Sequence, residues 1–320
     1  MEIVIQLGLL AVGFLLLIKG ADWFVGGASK IADRFGIPQL IIGLTIVAMG
    51  TSAPEAAVSI SAAVKNTPEN NSAAIAIGNI VGSNILNILL ILGITCLIMT
   101  IPVQVSTIRY EIPFMILVTC ILAGIGYAKG YLGKLDGVIL WCLFLIYFAY
   151  LLVMAKKGKI DAGIGEPGIK VKENMFLLVL MLILGIICIV LGSDIAVDAA
   201  TALARMFGME ERLIGLTIVA FGTSLPELIT SITAALKKKA DIAVGNIVGS
   251  NIFNILFVIG TTSLITEVPY SSDFYFDSVV CIFVAVLLFL CVFRKKKLTR
   301  AGGIIMLCIF VIYYARIIFL

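Results

Sequence analysis

Apolar residues run through the chain in continuous blocks, broken by short stretches carrying charge, proline or glycine. The blocks lie near residues 3–30, 38–64, 73–99, 106–128, 132–154, 175–204, 212–236, 240–265, 274–293 and 299–319. A membrane-spanning helix needs about 20 mainly apolar residues, so the pattern predicts ten spans and little chain left over. A transmembrane β-barrel would alternate apolar and polar positions in segments of about ten residues. Runs such as Phe176–Leu184 are continuous instead. The expected fold is therefore an all-α polytopic membrane protein.

Composition agrees. Of 320 residues, 61% are hydrophobic and 13% charged, where a soluble domain carries about 25% charged residues. Mean hydropathy is +1.17. The first run lacks a basic leader and a small-residue cleavage pattern, so Ile3–Ile18 reads as a retained helix. The seven cysteines are scattered with no paired spacing and read as small packing residues. With the N-terminus placed outside, Lys156, Lys157, Lys159, Lys237–Lys239 and Arg294–Lys297 all fall inside. The outside then holds only Lys65, Lys129, Lys134, Arg205, Arg212 and Arg316. The positive-inside rule thus predicts both termini outside, with the cell (inner) membrane as the expected location. The net charge of +4 needs no nucleic-acid partner, and no obligate protein partner is expected.

The chain also matches itself. Ile42–Glu55 read IGLTIVAMGTSAPE and Ile214–Glu227 read IGLTIVAFGTSLPE; Gly78–Asn87 read GNIVGSNILN and Gly245–Asn254 read GNIVGSNIFN. More faintly, Gly20, Asp22, Val25 and Ala28 align with Gly192, Asp194, Val197 and Ala200. Two five-helix halves result, residues 1–154 and 174–320, joined by a linker at 155–173. Five crossings is an odd number, so the halves are expected in inverted topology. Secondary transporters place their site at such a repeat interface near the midplane.

Within each copy the residue types suit a cation. Pro54 and Pro226 lack an amide hydrogen and crowd the carbonyl four residues back, so each helix is expected to open and leave carbonyls around Ala48–Gly50 free. Glu55 and Glu227 would be carboxylates deep in a span, where they cost about 2.5–3.5 kcal/mol or more and usually mark ion paths. Thr51 and Ser52 share a helical face with Glu55, and Thr223 and Ser224 with Glu227. Asn79, Ser83 and Asn87 form a polar stripe that Asn246, Ser250 and Asn254 repeat. Ser83, Asn87, Ser250 and Asn254 read as ligands. For Asn79, Asn84, Asn246 and Asn251, interhelical hydrogen bonding stands equally well. Gly82 and Gly249 should permit close helix approach. Asp22 and Asp194 read equally as gating residues or interfacial caps. An all-oxygen set selects hard cations, and six to eight oxygens suit Ca2+ better than octahedral Mg2+. The chain has no histidine, no phosphate-cradling loop and no visible nucleophile–base pair. It reads as neither an enzyme nor an ATP-driven pump, with no cofactor, and with another ion's gradient as the driving force.

The paired GTSxPE and GNIVGSN motifs resemble the α-repeats of the cation/calcium antiporter superfamily, and within it the prokaryotic sodium/calcium exchangers. That resemblance implies ten helices and exchange of external Na+ for internal Ca2+. The site would be built by the second, third, seventh and eighth helices, with the long first and sixth sliding across them. It further implies Ca2+ ligation by Glu55, Glu227 and the carbonyls of Thr51 and Thr223. Na+ would use the carbonyls of Ala48 and Ala220, Ser52, Ser224, Ser83, Ser250 and the same glutamates, while Asn87 and Asn254 line the centre. Several relatives have Asp at the position of Asn254. The resemblance carries no large calcium-sensing domain. A proton-coupled or potassium-dependent calcium antiporter is the alternative, and a cation channel a more distant one.

Overall fold

The computed structural model describes residues 2–67, 72–162, 174–209 and 220–319. Nearly all of them are helical. The helices are α1 (Glu2–Phe35), α2 (Gln39–Thr51), α3 (Ala53–Val64), α4 (Ala74–Ile98), α5 (Thr107–Lys129), α6 (Lys134–Ala162), α7 (Met175–Met206), α8 (Ala220–Thr223), α9 (Leu225–Leu236), α10 (Ala240–Ile265), α11 (Asp273–Phe293) and α12 (Arg300–Phe319). Among the described residues, eight helices are long and apolar enough to cross a membrane, or nine if α2 and α3, bent by 49°, count as one. The expected span at 212–236 begins in residues 210–219, outside the described residues, and continues as α8 and α9.

Burial sorts the helices into layers. The most apolar windows of α4 and α10 are 78% and 94% buried, against 17% in α1 and 22% in α7. The repeated GNIVGSN segments therefore run through the centre. A helix hydrophobic all round whose outer face meets no protein is suited to lipid.

The outer pair α1 and α7 cross antiparallel on a seam of glycines. A Cβ at Gly13 would lie 2.8 Å from the Gly192 carbonyl oxygen, and one at Gly20 would lie 2.7 Å from that of Gly185. Only hydrogen fits there, so the backbones meet directly. Two short ribbons tie the halves of the sequence together. Ile101–Pro102 (β1) pairs antiparallel with Lys297–Leu298 (β4), and Tyr131–Leu132 (β2) with Val268–Pro269 (β3).

Helix α6 runs on to Ala162, so the first part of the expected linker at 155–173 is helical. Hydropathy falls at Lys156, but alanine and lysine are good helix formers, so the apolar window ends before the helix does. Residues 163–173 lie outside the described residues. All seven cysteines are free.

Candidate cation site

The two proline-bearing segments break alike. Ser52 leaves the helical region at φ −81°, ψ 9°, and Ser224 does so at φ −89°, ψ 1°. Pro54 and Pro226 follow in the first turn of α3 and α9, where a missing N–H costs nothing. The break therefore sits at the serine of each GTSxPE motif and aims the following glutamate inward.

Two carbonyls near the breaks are partnered, one in each copy. The Ala48 carbonyl accepts from the Ser52 amide at 3.0 Å and the Ser250 hydroxyl at 3.3 Å. The Gly222 carbonyl accepts from Ser193 of α7 at 2.8 Å. Buried carbonyls at membrane depth recruit hydroxyls from neighbouring helices when water is excluded. Ala220 is the first residue of α8.

Both glutamates are buried, Glu55 at 1% exposure and Glu227 at 0%. Each is held by serines, partly from the opposite half. Ser52 donates to Glu227 Oε1 at 2.9 Å, Ser224 to Glu55 Oε1 at 3.5 Å, and Ser83 to Glu55 Oε1 at 3.4 Å. The Thr51 hydroxyl donates to Asn246 Oδ1 at 3.0 Å. Thr223 lies at the equivalent place, and its Oγ1 is buried without a partner. Among the described residues, no lysine or arginine is ion-paired to either glutamate.

The asparagines divide into two sets. Asn79 donates to the Ser59 hydroxyl at 2.9 Å and the Glu55 carbonyl at 3.2 Å, and Asn246 donates to Ser231 at 3.0 Å. These two tie helices together. Asn84, Asn87, Asn251 and Asn254 meet where α4 crosses α10. Asn84 and Asn251 donate to one another's backbone carbonyls at 3.2 and 3.3 Å, Asn87 donates to Asn251 Oδ1 at 2.9 Å, and Asn254 to Asn84 Oδ1 at 3.1 Å. π-helical turns begin at Asn87 and Asn254; such bulges widen a helix and recur at functional sites. The close approach expected at Gly249 is present, since a Cβ there would lie 2.8 Å from Leu44 Cα, whereas a Cβ at Gly82 would meet nothing within 4 Å among the described residues outside its own helix.

A group of buried oxygens is left over. Glu55 Oε2, Glu227 Oε2, Asn87 Oδ1, Asn254 Oδ1 and Thr223 Oγ1 have no hydrogen-bond partner. These five lie in the repeated segments, and four of them accept only; six more such oxygens lie elsewhere among the described residues, Glu111 Oε2 among them. Each unsatisfied buried acceptor costs about 1–3 kcal/mol, and a buried unpaired carboxylate costs more. Acceptor oxygens of this kind are the ligands that hard cations take. Among the described residues, no three acidic, histidine or cysteine side chains converge.

Beside this centre, Asp194, Asp198, Ser193 and Thr223 line a cavity of about 390 Å3 with Pro54 and Gly222. Asp22, the counterpart of Asp194, is instead ion-paired to Lys237 at 2.8 Å. Sequence reasoning overlooked Ser59, Ser231 and Ser193. The first two stand at equal places in the self-match, which was the available signal. It also overlooked Glu111, fully buried in α5 with its Oε1 accepting from the Tyr150 hydroxyl.

Comparison with known proteins gives one consistent result. The profile of the family described as sodium/calcium exchanger protein matches residues 5–156 and 177–319. Inner membrane protein YrbG of Escherichia coli is 37% identical over 98% of this chain and 96% of its own. Sodium/calcium exchanger MaX1 of Methanosarcina acetivorans is 28% identical over 95% and 96%. Among solved structures, the sodium-calcium exchanger NCX_Mj superposes with a TM-score of 0.82 at 33% identity, covering 98% of this chain and 99% of that one.

Proposed function

This chain belongs to the sodium/calcium exchanger protein family, and from that premise we propose that it exchanges Na+ for Ca2+ across the membrane by alternating access to one shared site. The family and the fold make it a membrane-embedded cation/calcium antiporter rather than an enzyme, with the transported ions as substrates and no cofactor. Sodium as the coupling ion, the ten-helix count, the inverted halves and both termini outside are the finer parts of the proposal.

The observation that carries it is the buried set of unpartnered oxygens around Glu55 and Glu227. In this reading Ca2+ takes the two carboxylates with the carbonyls of Thr51 and Thr223. Na+ uses Ser52, Ser224, Ser83, Ser250 and the carbonyls of Ala48 and Ala220 with the same acids, and Asn87 and Asn254 complete the centre. Two carboxylates balance one divalent ion, so the loaded site crosses the low-dielectric interior far more readily than the charged empty one. Ions competing for one set of ligands are thereby coupled.

The inverted arrangement draws support from the way contacts exchange between copies. Ser52 reaches Glu227 while Ser224 reaches Glu55. Gly13 meets Gly192 while Gly20 meets Gly185. A two-fold axis in the membrane plane exchanges such partners. The α1–α7 pair lies outside the buried α4–α10 core, where it can slide.

The test is Ca2+ uptake into Na+-loaded vesicles, with K+ and pH varied separately. Uptake that follows the outward Na+ gradient supports the reading. Uptake indifferent to Na+ but driven by a pH gradient would replace it with proton coupling. Cysteine labelling at residues 2 and 318 from the outside checks the orientation.

A further inference from the structure

We propose that Asn84 and Asn251, which are not themselves ligands, act as positioning residues that turn the amides of Asn254 and Asn87 so that each presents oxygen, not nitrogen, to the ion. The inference rests on the proposed reading of the site and goes one layer outside it.

The chain of reasoning starts from two backbone atoms. The carbonyls of Asn84 and Asn251 can only accept hydrogen bonds. Asn84 Nδ2 lies 3.2 Å from the Asn251 carbonyl, and Asn251 Nδ2 lies 3.3 Å from that of Asn84. Each of these side chains must therefore point its NH2 group at the opposite helix. Its own Oδ1 then faces the other way and can only accept. Asn254 stands 3.1 Å from Asn84 Oδ1, and Asn87 stands 2.9 Å from Asn251 Oδ1. Each must give its NH2 to that oxygen. The remaining Oδ1 atoms of Asn87 and Asn254 are the two left buried and unpartnered. All four residues are at most 1% exposed. A flipped amide at either position would set oxygen against oxygen and turn two N–H donors towards a cation.

The same logic bears on charge at position 254. An ionised carboxylate there would face Asn84 Oδ1 with no hydrogen to give. Asn84 thus selects a neutral oxygen donor at 254, leaving Glu55 and Glu227 as the charges of the site. Outer-shell partners that orient a ligand typically change metal affinity by about 10–100-fold when removed.

A double-mutant cycle tests this, read as Ca2+ dissociation constants of the purified full chain in detergent. Asn84→Ala and Asn254→Ala should each weaken Ca2+ binding about tenfold. The double variant should be no weaker than Asn254→Ala alone, because Asn84 acts through Asn254. The crossed pair, Asn84→Ala with Asn87→Ala, should instead multiply. If the Asn84 and Asn254 effects multiply, or if the crossed pair couples as strongly, Asn84 is only a packing residue and the proposal falls. Should Asn84→Ala fail to elute as a folded species, the mirror cycle of Asn251→Ala with Asn87→Ala decides by the same criteria. Glu55→Gln separates the two layers. If it binds Ca2+ normally, the site reading itself fails; if it abolishes binding while the cycle multiplies, only the positioning role does.

Discussion

Ser52 hands its hydroxyl hydrogen to Glu227 across 2.9 Å, joining residues 175 positions apart in the chain. The serine that ends one half's first motif helix thus fixes the carboxylate of the other half. The break in each helix path thereby serves the opposite acid.

Removing the charge of either acid should stop exchange. Glu55→Gln or Glu227→Gln keeps side-chain volume and leaves one Ca2+ facing a single carboxylate. We expect Na+-driven Ca2+ flux in vesicles to vanish while size-exclusion behaviour stays normal. Normal flux in either variant would refute the site assignment.

The serine contacts should differ in strength. A hydrogen bond to a charged group contributes about 1.5–3 kcal/mol, which is roughly 10–100-fold in a binding constant. Ser52→Ala should weaken Ca2+ binding within that range. Ser224→Ala should cost less, because its contact with Glu55 is longer, 3.5 Å. Titration calorimetry on both variants checks the order.

The glycine seam predicts a steric effect. Gly20→Val would drive a Cβ to 2.7 Å from the Gly185 carbonyl oxygen, and overpacking of this kind costs about 1–3 kcal/mol. The melting temperature should fall and transport should slow as α1 and α7 are forced apart. Gly8→Ala meets nothing within 4 Å and should leave both unchanged. Equal Tm values for the Gly20 variant and wild type would show that the seam is not tight.

The Asp22–Lys237 pair should matter little to stability. Its side chains are 51% and 31% exposed, and such pairs contribute about 0–1 kcal/mol. Lys237→Gln is expected to shift Tm only slightly, with the difference shrinking further in high salt. A large loss would mean that the pair is desolvated when the chain sits in its bilayer.

How much of this was legible beforehand follows from the kind of information each feature needs. Membrane class, the spans and the paired motifs are written in runs and repeats along one dimension, because lipid imposes a length and a polarity on every crossing segment. Glu55, Glu227 and the serines around them stood out for the same reason: a polar group in such a run is costly, so its presence is a signal. The run of α6 to Ala162, the capping of the Ala48 and Gly222 carbonyls and the orientation of four asparagines were decided only by the tertiary structure. Each depends on which atom of a distant segment lies within about 3 Å. Hydrogen bonding is short-ranged and directional, so a linear pattern names the candidates while the packed helices choose the partners.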